Sequence, residues 1–519
     1  MTSEETRIGR RNQGRAARLA ARLGGDPTVN PAPSGQRGGA FRPLSEDGLR
    51  QICDSAFTIL EKLGMGEVPA VLAEKAVENG ADFGEDGRLR FPRSMIEDII
   101  EGAAKGFVFH GQDPKHDFEI GGDRVYFGTG GAAVQTLDID EGTYRPSTLA
   151  DLYDFTRLAD TLDNVSWFTR CCVATDVEDL QALDINTAYV IASGTTKPVG
   201  TSFTIAETVE PIVDMFDMVL GGEGKFAEKP FCKAHISPVI SPLRFGEDAV
   251  EVTLACIRRG VPINAIIAAQ SGATAPATLA GMLAQTTAET LAALALVNLF
   301  APGYPMIFSN WPLVIDLRTG AFCGGGGEIS VLNAASAQIG NWLGLPTGVA
   351  SSMSDAKAVD AQMGSEKALA ALAAGLAGAN MVYESSGMMA SLLGASFEAF
   401  VADNEMLGHV NRLIRGVEVN DELIGLDAIA EVIAEEGHFL GSAHTMAAMQ
   451  RDYYYPELAD RNAPRVWEEA GAPDFWARTR EKARETLSKH FPAHIDPAVD
   501  NQIRERYKIV IPPHRMTAR

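Results

Sequence analysis

A chain of 519 residues, 46% of them hydrophobic, can build a large core and is too apolar to be globally disordered. Its 45 Lys+Arg against 68 Asp+Glu give a formal charge of −23, which argues against nucleic acid and anionic membrane surfaces as partners and leaves a cationic substrate open. The 6 cysteines form no CxxC pair, the pattern of a reduced, cytoplasmic protein and not of a disulfide framework or zinc module.

Residues 1–43 read as an Arg/Gly/Pro-rich arm, with "RIGRRNQGRAARLAARLGG" as a short helix. Such an arm is either a free tail or a strap over a neighbouring subunit in a homo-oligomer. It has no apolar leader segment, and Glu4 and Glu5 count against a transit peptide. Residues 44–122 form a helical extension, in which "LRQICDSAFTILEKLG" repeats apolar residues at helical spacing. From 123 to 400 the pattern changes to short β-branched or aromatic runs: "RVYFGT", "VSWFTRCCV", "KPVGTSF", "FCKAHI", "PINAIIAA", "PMIFSN", "PTGVAS" and "NMVYES". Helical stretches near 148–162, 178–193, 205–219, 245–259, 277–299, 328–343 and 365–378 fall between them. Such alternation predicts parallel strands with right-handed crossovers, closed as a (β/α)₈ TIM barrel or left open as a doubly wound sheet. The most apolar stretch, 278–300, carries Gln285, Thr286, Thr287 and Glu289 at its centre, so it reads as a core helix and not a membrane span. Residues 401–519 read as helices and a tail packed on the barrel.

No GxxxxGK[ST], HExxH or GxSxG occurs, and "YFGTGGAA" lacks the helix and the downstream acid of a dinucleotide fingerprint. Cys171 and Cys172 share one strand candidate and His235 lies on another; as metal ligands they make a weak set, and buried structural roles suit them better. The aromatic cluster "DYYYPE" at 452–457 suits either a cation cage or surface packing. The segment "CGGGGE", Cys323 to Glu328, opens a helix after the sixth strand candidate. There Gly324, Gly325, Gly326 and Gly327 would let backbone approach a ligand on the cavity rim, and Glu328 either contacts that ligand or complements the helix dipole.

Several stretches together resemble the trimethylamine methyltransferase superfamily of corrinoid-linked enzymes. They include "DRVYFGTGGAAVQTLDIDEGTYRPSTLADLYDFTRLADTLDNV", "ISPLRFGEDAVE", "SGATAPATLAGMLAQTTAETLA", "DLRTGAFCGGGGEISVLNAASAQIGNWLGLPT", "SDAKAVDAQMGSEKAL" and "FLGSAHTMAAMQRDYYYPELADR". The resemblance runs in order from about residue 40 to 480. It implies a (β/α)₈ barrel that passes a methyl group from an amine to cobalt. The corrinoid is supplied by a separate corrinoid-binding protein as cob(I)alamin and leaves as methylcobalamin, so no tightly bound cofactor and no resident metal are expected. The chain contains only the standard residues and no pyrrolysine. It therefore resembles the non-pyrrolysine branch, of the glycine betaine methyltransferase type, whose substrates are quaternary amines. A tertiary amine, a sulfonium, or a barrel that binds such cations without catalysis are the alternatives.

A quaternary methyl is already activated, so the protein needs only to position it and exclude water. Aromatic or acidic walls are expected for the cation, and polar groups for the substrate's far end, at the carboxyl ends of strands. Trp311 and Asn310 follow "PMIFS", Gln270 follows "PINAIIAA", and Tyr383 and Glu384 end "NMVYES". Tyr383 stands where betaine-type relatives tend to carry a histidine that holds the carboxylate. Glu328 and Tyr383 are the catalytic candidates; Trp311, Asn310, Gln270, Tyr383, Glu384, Asp360, Gln362 and His235 are the substrate-binding ones. Asp360 and Gln362, from "DAQ", equally suit a helix cap, and His235 a core position.

Overall fold

A computed structural model describes residues 30–434 and 437–518. The helix expected within residues 7–25 lies outside them. Eight short parallel strands occupy the predicted runs: β1 Arg124–Phe127, β2 Phe168–Thr169, β3 Val199–Thr201, β4 Cys232–Ile236, β5 Ile263–Ile267, β6 Met306–Asn310, β7 Gly348–Ala350 and β8 Met381–Tyr383. The pairs β2–β3, β3–β4, β4–β5, β5–β6, β7–β8 and β8–β1 are laddered in parallel. Two parallel bridges complete the ring. Gly128 faces Trp167 between β1 and β2, where the Ser166 N–H donates to the Phe127 carbonyl at 2.8 Å. Phe308 faces Thr347 between β6 and β7, where the Phe308 N–H donates to the Pro346 carbonyl at 2.7 Å. The sheet therefore closes on itself and has no free edge.

A helix follows every strand: α1 Leu149–Asp160, α2 Leu180–Gly194, α3 Val209–Val219, α4 Glu247–Arg258, α5 Leu279–Phe300, α6 Gly327–Trp342, α7 Ala361–Ala377 and α8 Phe397–Arg415. Caps written in the sequence start several of them. Thr148 and Asp151 make a capping box on α1, and Asp179, Asp360 and Ser396 accept backbone N–H groups at α2, α7 and α8. Helix α5 is long and apolar enough to cross a membrane, yet most of it is buried inside the fold. It packs on β5 and β6 and under the N-terminal helix Glu46–Thr58. Its Glu289 accepts from the Ser241 hydroxyl and the Leu243 N–H.

The two ends of the ring are treated differently. A hairpin, Gly106–Phe109 with Phe118–Gly121, closes the amino end. Its Phe118 ring lies 4.2 Å from Tyr126 and 6.2 Å from Trp167. At the carboxyl end, Met388–Met389, Gly394–Ser396, Gln135–Leu137 and Tyr144–Pro146 form a small sheet that joins the loops after β1 and β8. Gln36–Arg37, from the N-terminal arm, pairs antiparallel with Arg124–Val125 of the same chain. The C-terminal helices Phe475–Lys489 and Pro497–Tyr507 lie on the outer layer, where Arg480 reaches Glu398 at 3.2 Å.

One buried ion pair ties this architecture to the mouth. Lys367 of α7 and Asp403 of α8 lie 3.3 Å apart, each 1% exposed. Lys367 also donates to the carbonyls of Ser352, Glu384 and Met388, and Asp403 accepts the Gly387 N–H at 2.7 Å. The pair therefore clamps the loops after β7 and β8. Removing one partner leaves a buried charge alone, so Asp403→Ala is expected to cost about 3–5 kcal/mol in denaturant unfolding. The double variant Lys367→Met, Asp403→Leu should lose less than either single one.

Candidate active site

Strand alternation decides which side chains enter the ring. On β4, Lys233 and His235 face inward; on β6 and beyond, Ser309 and Trp311 do. Tyr383 ends β8 and Trp167 opens β2. The inward rings meet near the carboxyl end. Trp311 lies 5.1 Å from Tyr383 and 5.4 Å from His235; Tyr383 lies 5.5 Å from His235 and 5.4 Å from Trp167. Gly348 permits this approach, because a Cβ there would sit 2.2 Å from Ser309 Oγ and 3.1 Å from the Tyr383 ring.

His235 is held in one orientation. The Ser309 hydroxyl donates to Asn264 Oδ1, which turns the Asn264 amide N–H toward His235 Nδ1 at 3.0 Å. Nδ1 then accepts, and the ring's proton sits on Nε2. Burial, with Lys233 and Arg170 nearby, pushes the imidazole pKa well below its usual value. His235 is therefore neutral and keeps one free donor. Lys233 lies deeper: its ammonium is 4.7 Å from the Tyr383 ring centre, 5.8 Å from that of Phe109, and 2.9 Å from Thr169 Oγ1. Burial brings its pKa down to about 7.

Glu384 is the unusual residue. It is 1% exposed, its Oε2 has no hydrogen-bond partner, and its backbone is left-handed at φ 64°. A left-handed glutamate costs about 1–2 kcal/mol, which the clamp on this loop offsets. The carboxyl group lies over Gly130 and Gly131, where added Cβ atoms would come within 3.0 Å of Oε1 and 2.9 Å of Oε2. The Gly130 position is also 3.3 Å from the Tyr383 ring, so acid and aromatic wall adjoin. Desolvation raises the Glu384 pKa to about 8, moderated by Lys367. A carboxyl group kept dry and unpaired beside ring faces suits a cation that brings its own charge.

The expected residues divide into two groups. Trp311, Tyr383, His235 and Glu384 come together. Gln270 sits half-buried on the rim, where its backbone bridges to Leu313. Asn310 does not join them, because it is one residue out of phase: it faces α5, where its amide N–H is 3.3 Å from Thr287 Oγ1. Glu328 is exposed in the first turn of α6. Asp360 caps α7 through the Met363 N–H at 3.0 Å, and Gln362 is exposed and donates to Glu366 at 2.8 Å. The glycine run lies in the loop from β6 to α6 and docks on protein. Gly324 and Gly325 donate backbone N–H groups to Asp355 at 2.7 and 3.2 Å, and a Cβ on Gly325 would lie 2.2 Å from Glu366. Gly326 is the helix cap residue, and Gly327 has open space beside it. In the aromatic cluster, Tyr453 and Tyr455 are exposed while Tyr454 packs on His409 at 4.9 Å. Among the described residues no three His, Cys, Asp or Glu side chains are grouped to hold a metal.

Lys233, Trp167 and Asn264 were not among the expected site residues. The "KAHI" spacing places Lys233 on the face of His235.

The sequence profile described as "Trimethylamine methyltransferase (MTTB)" matches residues 10–508. A trimethylamine methyltransferase of Desulfitobacterium hafniense (strain DSM 10664 / DCB-2) is 31% identical over 451 residues, covering 86% of this chain and 90% of the relative. A glycine betaine methyltransferase of Desulfitobacterium hafniense (strain Y51) is 28% identical over 468 residues, covering 89% and 96%. Among solved structures, the monomethylamine methyltransferase of Methanosarcina barkeri matches with a TM-score of 0.50 at 12% identity, covering 88% of this chain and 90% of that one, which is a likeness of fold.

The Glu384 acid sets a pH dependence. Cation binding needs the ionised form, so affinity for a methylated ammonium ion should rise about tenfold per pH unit below pH 8 and level off above it. Lys233, which loses its charge above about 7, acts in the same direction. Glu384→Gln should flatten the profile in calorimetric titrations between pH 6 and 9. In thermal unfolding, ionising Glu384 costs the folded state increasingly from its ordinary 4.5 up to about 8. The glutamine variant should then gain about 1–3 °C over the parent at pH 8.5 and much less at pH 5.

Proposed function

This chain belongs to the trimethylamine methyltransferase family, and from that premise we propose that it moves a methyl group from a betaine-type quaternary ammonium substrate to the cobalt(I) corrinoid of a partner protein. The observation that carries this reading is the dry, unpartnered Glu384 carboxyl group beside the Tyr383 and Trp311 rings. The corrinoid, as the methyl acceptor, supplies the nucleophile.

The residues present match the demands of that step. The carbon–nitrogen bond breaks as the carbon–cobalt bond forms, and the electron pair of the broken bond stays on nitrogen. The leaving group is a neutral tertiary amine, so no proton has to move. Glu384 and the ring faces bind and orient the ammonium head, whose charge fades as the methyl departs. His235, held neutral, adds no repulsive charge beside it. The hairpin at the amino end and the packed interior exclude water from below, leaving the acceptor to approach from the carboxyl end.

Purified protein given reduced cobalamin and a quaternary amine should convert cobalt(I) to methyl-cobalt(III), followed as loss of the cobalt(I) absorbance. An unchanged absorbance across betaines, carnitine and choline-like compounds contradicts the proposal. Trp311→Leu should weaken binding of the active compound about 10- to 30-fold, read by calorimetry, since a desolvated cation–π contact is worth about 2 kcal/mol.

A further inference from the structure

The chain leaves the last barrel helix at Arg415, on the amino end of the ring, and makes a helical excursion before it returns along α8 at Tyr454. Arginines of α8 hold the far end of the excursion: Arg412 Nε donates to the Asp452 carbonyl at 2.6 Å and Arg415 Nη1 to the Arg451 carbonyl at 2.5 Å. The excursion contains α9 Leu426–Ala434 and α10 Ala443–Arg451. The start of α9 abuts the start of α10, since a Cβ on Gly425 would lie 2.6 Å from His444 Nε2.

Helix α9 has three faces. At about 100° per residue, Ala428 and Val432 share the inner one, and Val432 is the only residue of this helix that is buried. Leu426, Ile429 and Ile433 form a ridge that points outward, with Leu426 70% and Ile433 78% exposed. Asp427 and Glu431 lie more than about 100° round the helix from that ridge. A helix of 9 residues that buries one side chain is marginal by itself, because helices this short are held by packing. The apolar exposure extends beyond α9. Val417 and Val419, which precede it, are 87% and 73% exposed. Phe439, Met449, Tyr453 and Tyr455, which follow it, line an open cleft of about 320 Å³ together with His444. The area these side chains expose is on the order of the 800 Å² that each partner gives to a standard interface, and larger than the patch usual on a monomer.

We infer that this excursion is the interface between two copies of the chain, the α9 ridge of each seated in the aromatic cleft of the other. Ridge and cleft belong to one surface, which is what a two-fold axis requires of a self-complementary contact. The acids of α9 are turned away from the ridge, so pairing two such surfaces does not press like charges together. The chain's own first residues are a poor cover. They enter at this end, where Arg415 donates to the Pro31 carbonyl at 3.1 Å, but residues 1–29 hold no aromatic ring and only Met1, Ile8, Leu19, Leu23 and Val29 as large apolar side chains. An anionic membrane surface is disfavoured by the acids beside the ridge and by the formal charge of −23. Because the excursion is tied to the amino end of α8, the contact leaves the carboxyl-end mouth open. The inference does not depend on the proposed function.

Sedimentation equilibrium of the full chain tests this. The parent should associate, and Ile433→Glu, which sets a charge in the ridge, should halve its mass and weaken the association about 100-fold or more. Tyr455→Ala, on the cleft side, should weaken it about tenfold. Far-UV circular dichroism of both variants should match the parent. A parent that stays monomeric, or an Ile433→Glu protein with the parent's mass and affinity, overturns the inference. Hydrogen exchange on the parent gives a second readout that needs no variant. Amides of 426–434 should be protected in the associated protein and lose protection when dilution dissociates it, while those of 384–396 at the mouth stay the same. Equal protection in the associated and dissociated protein overturns the inference, because the cover would then come from the same chain.

Discussion

A carboxyl group buried without a partner works against folding, and one directly follows the strand that closes this barrel. Glu384 combines three unfavourable features: burial, an unsatisfied oxygen and a left-handed backbone. It persists because Lys367 and Asp403 fix the surrounding loop from α7 and α8, and because Gly130 and Gly131 leave room for the carboxyl group. The cost is local, and under the proposed function a cation entering the barrel offsets it. This is the pattern expected where strain and desolvation serve binding.

The rest of the site follows from the same geometry. Eight parallel strands direct alternate side chains inward, so a few positions at the carboxyl ends decide the chemistry. Trp311 and Tyr383 supply faces, His235 is held neutral by Asn264 and Ser309, and Lys233 lies beneath Tyr383 on the side of the amino-end hairpin. The glycine run contributes indirectly. By docking on Asp355, which also accepts from the Ser391 hydroxyl, it joins the loop after β6 to those after β7 and β8.

The fold was largely legible because each strand is a short apolar run set between long helices, several of which begin on side-chain caps. The aromatic wall was legible too, since Trp311 and Tyr383 fall just at strand ends. Asn310 went astray by a single residue, which in a strand is the difference between the inside of the ring and the helix layer. Glu328 and Asp360 were ambiguous for a common reason: a carboxylate at a helix start suits a cap or dipole role as well as a ligand contact, and here each stays at its helix end.

The central claim is that an uncharged Glu384 gives up its proton when a methylated ammonium ion enters the barrel. Calorimetric titration at pH 7 in two buffers of different ionisation enthalpy measures this directly. With a resting pKa of about 8, binding should release close to one proton per ligand in the parent protein and far fewer in Glu384→Gln. Binding without proton release, or with equal release in both proteins, would contradict the account.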